Sequence, residues 1–198
     1  MLFSVLISYI IFLLIWRSKG FISNRYLLLI GVAYFFIGSY DLLQVLAFPE
    51  LRLFPGFGLN LYAQFWIIAR YMESISFLIA PMFLIQQTKL RMNASRALNS
   101  SRFARTVFFV YAIITAYIFV SVMQLKNFPM CYVEGSGFTS FIIISGYIIC
   151  FIFLGSLVYL YKQKDKFETK VYNLLSIAIF LTLLGDGLFL VYNQVGEF

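Results

Sequence analysis

The chain has 198 residues, of which 62% are hydrophobic and only 12% charged, with a mean hydropathy of +0.90. A soluble domain carries about 25% charged residues, and a chain this short could not hide so much apolar surface in one aqueous core. The formal charge is +7, from 15 Lys and Arg against 8 Asp and Glu. These bases lie in short stretches between apolar runs, which suits membrane topology control and excludes a nucleic-acid partner.

Six apolar segments follow in chain order, at 1–16, 26–48, 60–86, 106–125, 138–161 and 171–194. A helical span needs about 20 apolar residues, so five qualify by length and the first is short. A lipid-facing backbone must satisfy its own hydrogen bonds, and no alternating pattern suggests a barrel. The expected fold is therefore an all-α, polytopic transmembrane helix bundle of about six helices, forming one membrane-embedded domain over 1–198. Residues 1–16 lack the preceding basic region and following cleavage site of a signal peptide; Arg17 and Lys19 come after them instead.

The connections sort by charge. Arg17, Lys19 and Arg25 separate the first two segments, and Lys89, Arg91, Arg96, Arg102 and Arg105 the third and fourth. Lys162, Lys164, Lys166 and Lys170 separate the last two. The remaining loops hold one base and one acid each, Arg52 with Glu50 and Lys126 with Glu134. The positive-inside rule then makes 17–25, 87–105 and 162–170 cytoplasmic and puts the amino terminus outside, in a cell inner membrane. The basic 87–105 stretch reads as a solvated topology determinant rather than as an amphipathic helix on headgroups. Six spans would also leave Phe198 outside, whereas a receptor driving a cytoplasmic domain ends inside. The expectation is a missing odd-numbered helix, or no signalling through that end.

Ionisable groups within spans are costly and are functional candidates by default. Asp41, Arg70, Glu73 and Asp186 are such groups, accompanied by Gln44 and Gln64. Counted at 1.5 Å per residue, Asp41 and Asp186 lie roughly 22 Å from their cytoplasmic helix starts, and Arg70 and Glu73 about 15 and 20 Å from the outer end of theirs. All four then share the middle or outer half of the bilayer. Trp66, Arg70 and Glu73, spaced i, i+4 and i+7, lie on one helix face. Three acids against one base call for a protonated carboxyl, a cation or a further residue to balance them. The layer is expected to bind a ligand or ion; the bland alternative is polar glue between helices.

Two cysteines without histidine make no zinc or iron–sulfur site, and Cys131 in a polar loop is too far from Cys150 inside a span to pair. The 24 Phe and 14 Tyr read as lipid-facing and interhelical packing. Gly56-Phe57-Gly58 and Gly135-Ser136-Gly137 read as turns in outer loops. No nucleophile–base pair or phosphate loop is present, so no catalytic residue is expected.

Three stretches carry a family resemblance. Asn24-Arg25-Tyr26-Leu27-Leu28-Leu29-Ile30-Gly31 followed by Asp41-Leu42-Leu43-Gln44 is one. Gln64-Phe65-Trp66-Ile67-Ile68-Ala69-Arg70-Tyr71-Met72-Glu73-Ser74-Ile75-Ser76 is another, and Cys131-Tyr132-Val133-Glu134-Gly135-Ser136-Gly137-Phe138-Thr139 the third. Together they resemble the third type of membrane-associated sensor (MASE) domain, over most of the chain and in the expected order. The resemblance implies a non-enzymatic bacterial or archaeal sensory input module, in two-component or cyclic di-GMP signalling. Its partners would be the lipid bilayer and a cytoplasmic PAS, histidine kinase or GGDEF output domain, with a homodimer left open and the ligand or cofactor unknown. Cys131, Tyr132 and Glu134 enter the site as its outer-loop motif. This chain departs from the family at Gln44, where histidine is common, at Gly146, where glutamate is common, and at Asp186, where glutamate is expected. It also lacks the family's amino-terminal His/Glu stretch and the helices after the sixth, so it looks like a truncated copy, and haem or metal ligation by the family's histidines does not carry over. The alternative function is a small transporter or channel subunit with the buried acids as a proton or ion relay.

Overall fold

The computed structural model describes residues 2–20, 24–83 and 94–195. Among them are six α-helices: α1 (Leu2–Ser18), α2 (Arg25–Leu46), α3 (Gly58–Ile79), α4 (Ala94–Val120), α5 (Ser140–Lys162) and α6 (Thr169–Val195). A two-stranded antiparallel hairpin, β1 (Tyr132–Val133) and β2 (Gly137–Phe138), sits between α4 and α5. The all-α membrane bundle expected from the sequence is what forms. α2, α4, α5 and α6 are each long and apolar enough to cross a membrane. α1 is short at 17 residues, and α3 carries Arg70 and Glu73.

α2 is the hub. It packs against α1, α3 and α4, while α3 continues to α5 and α5 to α6. The apolar stretch of α2 is 67% buried, against 11% for those of α4 and α6, so the bundle has a protein-facing centre and an apolar rim. Ile113, Phe151 and Leu174 on that rim are each at least 70% exposed, a disposition suited to lipid as the solvent.

Asn24 starts α2 by accepting the Tyr26 amide on its side chain at 3.0 Å, satisfying one of the free donors of the first turn. Gly31 and Gly38, two turns apart on one face of α2, admit α1. A Cβ at Gly31 would lie 2.5 Å from Ile15, and one at Gly38 2.8 Å from Ser8. Small residues of this kind let membrane helices approach closely enough for dispersion to hold them.

One boundary differs from the sequence reading. The 87–105 stretch was expected to be a solvated loop before a span at 106, yet helix already runs from Ala94. Ala94, Arg96, Ala97, Leu98, Arg102 and Ala104 are good helix formers, so the helix extends beyond the apolar run into its basic flank. Lys89 and Arg91 lie outside the described residues. At its other end α4 closes in a π turn, Ser121–Leu125, capped by Lys126 in the left-handed region at φ 49°. Among the described residues, Lys19, Arg25, Arg105 and the α5–α6 connection thus gather at one end of the bundle, here called the basic end, and the hairpin lies at the other.

Candidate functional site

The four expected ionisable groups come from α2, α3 and α6, and three of them touch. Arg70 donates from Nη2 to Asp41 Oδ1 at 3.1 Å, and its Nη1 lies 2.6 Å from Glu73 Oε2, one turn along α3. The second contact is an ion pair without hydrogen-bond geometry, and Arg70 Nε and Glu73 Oε2 have no hydrogen-bond partner. Tyr34 on α2 donates to Glu73 Oε1 at 3.4 Å. Asp186 on α6 interacts electrostatically with Arg70, Glu73 and Asp41 without closing to an ion pair, and its buried Oδ2 has no partner.

Helical spacing explains the convergence. Trp66 and Arg70, four apart on α3, face Phe189 and Asp186, three apart on α6. The Trp66 and Phe189 rings are 4.6 Å apart at centroid, one level toward the hairpin from the charges. Tyr34 and Asp41 are two turns apart on α2, so both look toward α3. Tyr34 is the member that the sequence reading missed, and its seven-residue spacing from Asp41 was the available signal.

The two glutamines do different work. Gln44 is buried at 1% exposure in α2. Gln64 turns away from the charges and donates from Nε2 to the backbone carbonyls of Pro129 at 3.0 Å and Phe128 at 3.4 Å. One turn earlier, Asn60 Oδ1 accepts the amides of Cys131 at 2.8 Å and Tyr132 at 3.1 Å. Asn60 was also missed, although its i, i+4 spacing from Gln64 marks one polar edge. The pair fastens the outer loop to the end of α3.

The loop motif is the hairpin itself. Tyr132 pairs with Phe138, their rings 5.5 Å apart, and Gly135 and Gly137 hold φ of 85° and 77°, as the tight reversal requires. Glu134 Oε1 lies over Gly58 at the start of α3, 3.3 Å from where a Cβ would stand. Cys131 is fully buried and, like Cys150, free of any disulfide. Burial pushes its thiol up to about 12. Phe138 stacks edge-on to Phe189 at 5.7 Å, so the loop, α6 and α3 are joined by aromatic contact above the charged layer.

The sequence matches the family model of MASE3, the membrane-associated sensor domain, over residues 1–198. The chain belongs to the MASE3 family. Neither the curated proteins nor the solved structures yield a match. A membrane-associated sensor domain agrees with four helices long and apolar enough to span a bilayer and with a lipid-suited rim. In this MASE3 domain no group of three or more His, Cys, Asp or Glu is arranged to hold a metal ion among the described residues.

Proposed function

We propose that this MASE3 domain is the input module of a bacterial or archaeal signalling protein, and that the layer of Asp41, Arg70, Glu73 and Asp186 is its input site. The observation that carries the reading is the convergence of four ionisable groups from three helices at one depth, with Arg70 Nε and Asp186 Oδ2 left without partners. Buried polar atoms without partners are expensive, so a site that leaves them open is suited to a group that completes it. Three carboxyls against one guanidinium favour a cation, a proton or a small polar ligand carrying positive charge.

In this reading the basic end is cytoplasmic, the amino terminus and the hairpin face outward, and the membrane is the cell inner membrane. The stimulus reaches the layer from the hairpin side, past Gln64 and Trp66. Binding changes the relative stability of two packings of α2, α3 and α6, and the shift is read at the basic end by a PAS, histidine kinase or GGDEF output domain. The domain acts through binding and packing, not catalysis, as one unit over 1–198. Arg70→Gln and Asp186→Asn, placed in the full-length receptor, are expected to change the kinase or cyclase output at unchanged protein level. Output identical to wild type in both variants would refute the site assignment.

A further inference from the structure

α4 packs on α2 rather than on α3, so a long apolar crevice opens between α3 and α4. Its volume is about 690 Å³. Ile75 and Ile79 form one wall, Val110 and Ile114 the other, and Leu29 of α2 the floor. Phe128 and Phe141 close the hairpin end, while Phe83 and Phe103 stand at the basic end with their rings 5.3 Å apart. Ser76 Oγ and Tyr111 Oη hydrogen-bond across it at 2.6 Å.

The crevice runs along α4 from Phe103 to Ile118, about 22 Å at 1.5 Å per residue. A leaflet is about 15 Å of hydrocarbon, half of the roughly 30 Å core. An acyl chain entering at the basic end therefore fits with its whole length between the two walls. The walls lie at membrane depth, so the occupant comes from the bilayer.

The rim at the basic end selects the headgroup. The Arg25 guanidinium lies over the Phe103 ring, 5.3 Å from its centroid, and its buried Nε has no acceptor. Arg102 and Arg105 lie on either side of Phe103 along α4, and Lys19 is held below its ordinary value by burial and by the nearby Arg105 charge. Among the described residues none of these four bases is paired with a carboxylate. A guanidinium whose buried Nε lacks an acceptor, beside an apolar slot, is matched by a phosphate joined to an acyl chain.

We propose that the α3–α4 crevice binds one anionic phospholipid from the leaflet at the basic end, its phosphate at Arg25 and its acyl chain between Ile75, Ile79 and Val110. The bound lipid is a wedge between α3, which carries Arg70 and Glu73, and α4. It joins the two helices where they do not pack directly. This inference stands apart from the charged layer, which it neither uses nor requires.

The test is native mass spectrometry and thermal unfolding of the purified chain, with added phosphatidylglycerol or phosphatidylcholine of identical acyl chains. One phosphatidylglycerol per chain is expected to be retained and to raise the unfolding temperature, with phosphatidylcholine retained far less. Arg25→Gln should weaken retention roughly fivefold, the scale of one basic residue at a membrane surface, and Arg25→Lys should keep most of it. Val110→Trp, at a half-exposed wall position, should abolish it while leaving the lipid-free unfolding temperature near wild type; Thr106→Phe on the same wall is used if that variant does not fold. Inorganic phosphate and glycerophosphoglycerol, which lack chains, should give no protection. Equal retention of both lipids, wild-type retention in the wall and Arg25→Gln variants, or protection by phosphate alone would each overturn the proposal.

Discussion

Arg70 Nη2 on α3 reaches Asp41 Oδ1 on α2 at 3.1 Å, so the only base in the charged layer ties the hub helix to its neighbour. The guanidinium also holds Glu73 on its own helix. Removing it strands two buried carboxylates, and breaking a buried pair costs about 3–5 kcal/mol. Arg70→Met is expected to lose that much stability in detergent unfolding. The triple variant Arg70→Met, Asp41→Asn, Glu73→Gln should recover much of the loss, because it removes the two carboxylates that Arg70 paired and leaves only Asp186, which makes no direct ion pair. A triple variant less stable than Arg70→Met alone would show that the layer is held by something other than charge pairing.

The contact of α1 with α2 rests on Gly31 and Gly38. A larger residue at Gly31 would strike Ile15 near its Cβ, not merely at its flexible tip. Gly31→Leu is expected to cost at least the 1–3 kcal/mol typical of overpacking and to detach α1. The readout is cross-linking by a short bifunctional maleimide between cysteines placed at Tyr9 and Ser39, whose side chains meet across α1 and α2 with hydroxyls 3.2 Å apart. Efficient cross-linking in wild type and little in Gly31→Leu is the expected result.

Asn60 satisfies two loop amides with one oxygen. Asn60→Ala orphans both, at about 1–3 kcal/mol for each buried group that finds no water. The hairpin should then lift from α3, and Cys131, fully buried in the native loop, should become open to a maleimide. Labelling of Cys131 as slow in Asn60→Ala as in wild type would show that the loop is held elsewhere.

How far the sequence reached depended on the kind of signal. The apolar runs located all six helices, because lipid imposes one requirement along the whole of each span. The depths counted for Asp41 and Arg70 agreed with a 3.1 Å contact between them, since rise per residue is nearly constant in a helix. The start of α4 was not legible, because Arg96, Arg102 and Arg105 mark the membrane boundary without ending the helix. Gln64 was grouped with the charges as a polar residue within a span, and its true partners are backbone carbonyls of a loop 64 and 65 residues away. Tyr34 and Asn60 escaped because tyrosine and asparagine are common in spans and loops, and only the fold shows which of them bonds. The α3–α4 crevice left no trace in the sequence, since an apolar wall reads the same whether it meets a helix or lipid.

The Cys131 thiol carries a pH dependence. Its ordinary value is 9.0 and burial raises it to about 12 in the folded protein. The neutral form is favoured by the fold, so its contribution to stability is complete below pH 9 and is lost as pH rises through 12. Compared with Cys131→Ala, the wild-type protein is therefore expected to lose stability progressively above pH 9. A stability difference constant across that range would show that the thiol is not buried from solvent in the working protein.

The proposed input site requires Asp41, Arg70, Glu73 and Asp186 to act as one layer, although Asp186 makes no direct ion pair. A double-mutant cycle of Arg70→Gln and Asp186→Asn, read by thermal unfolding of the purified domain, measures this directly. Groups that share a field should be non-additive by at least about 0.5 kcal/mol, with Asp186→Asn less harmful, or even stabilising, once Arg70 is gone. Strict additivity would separate α6 from the layer and contradict the proposed input site.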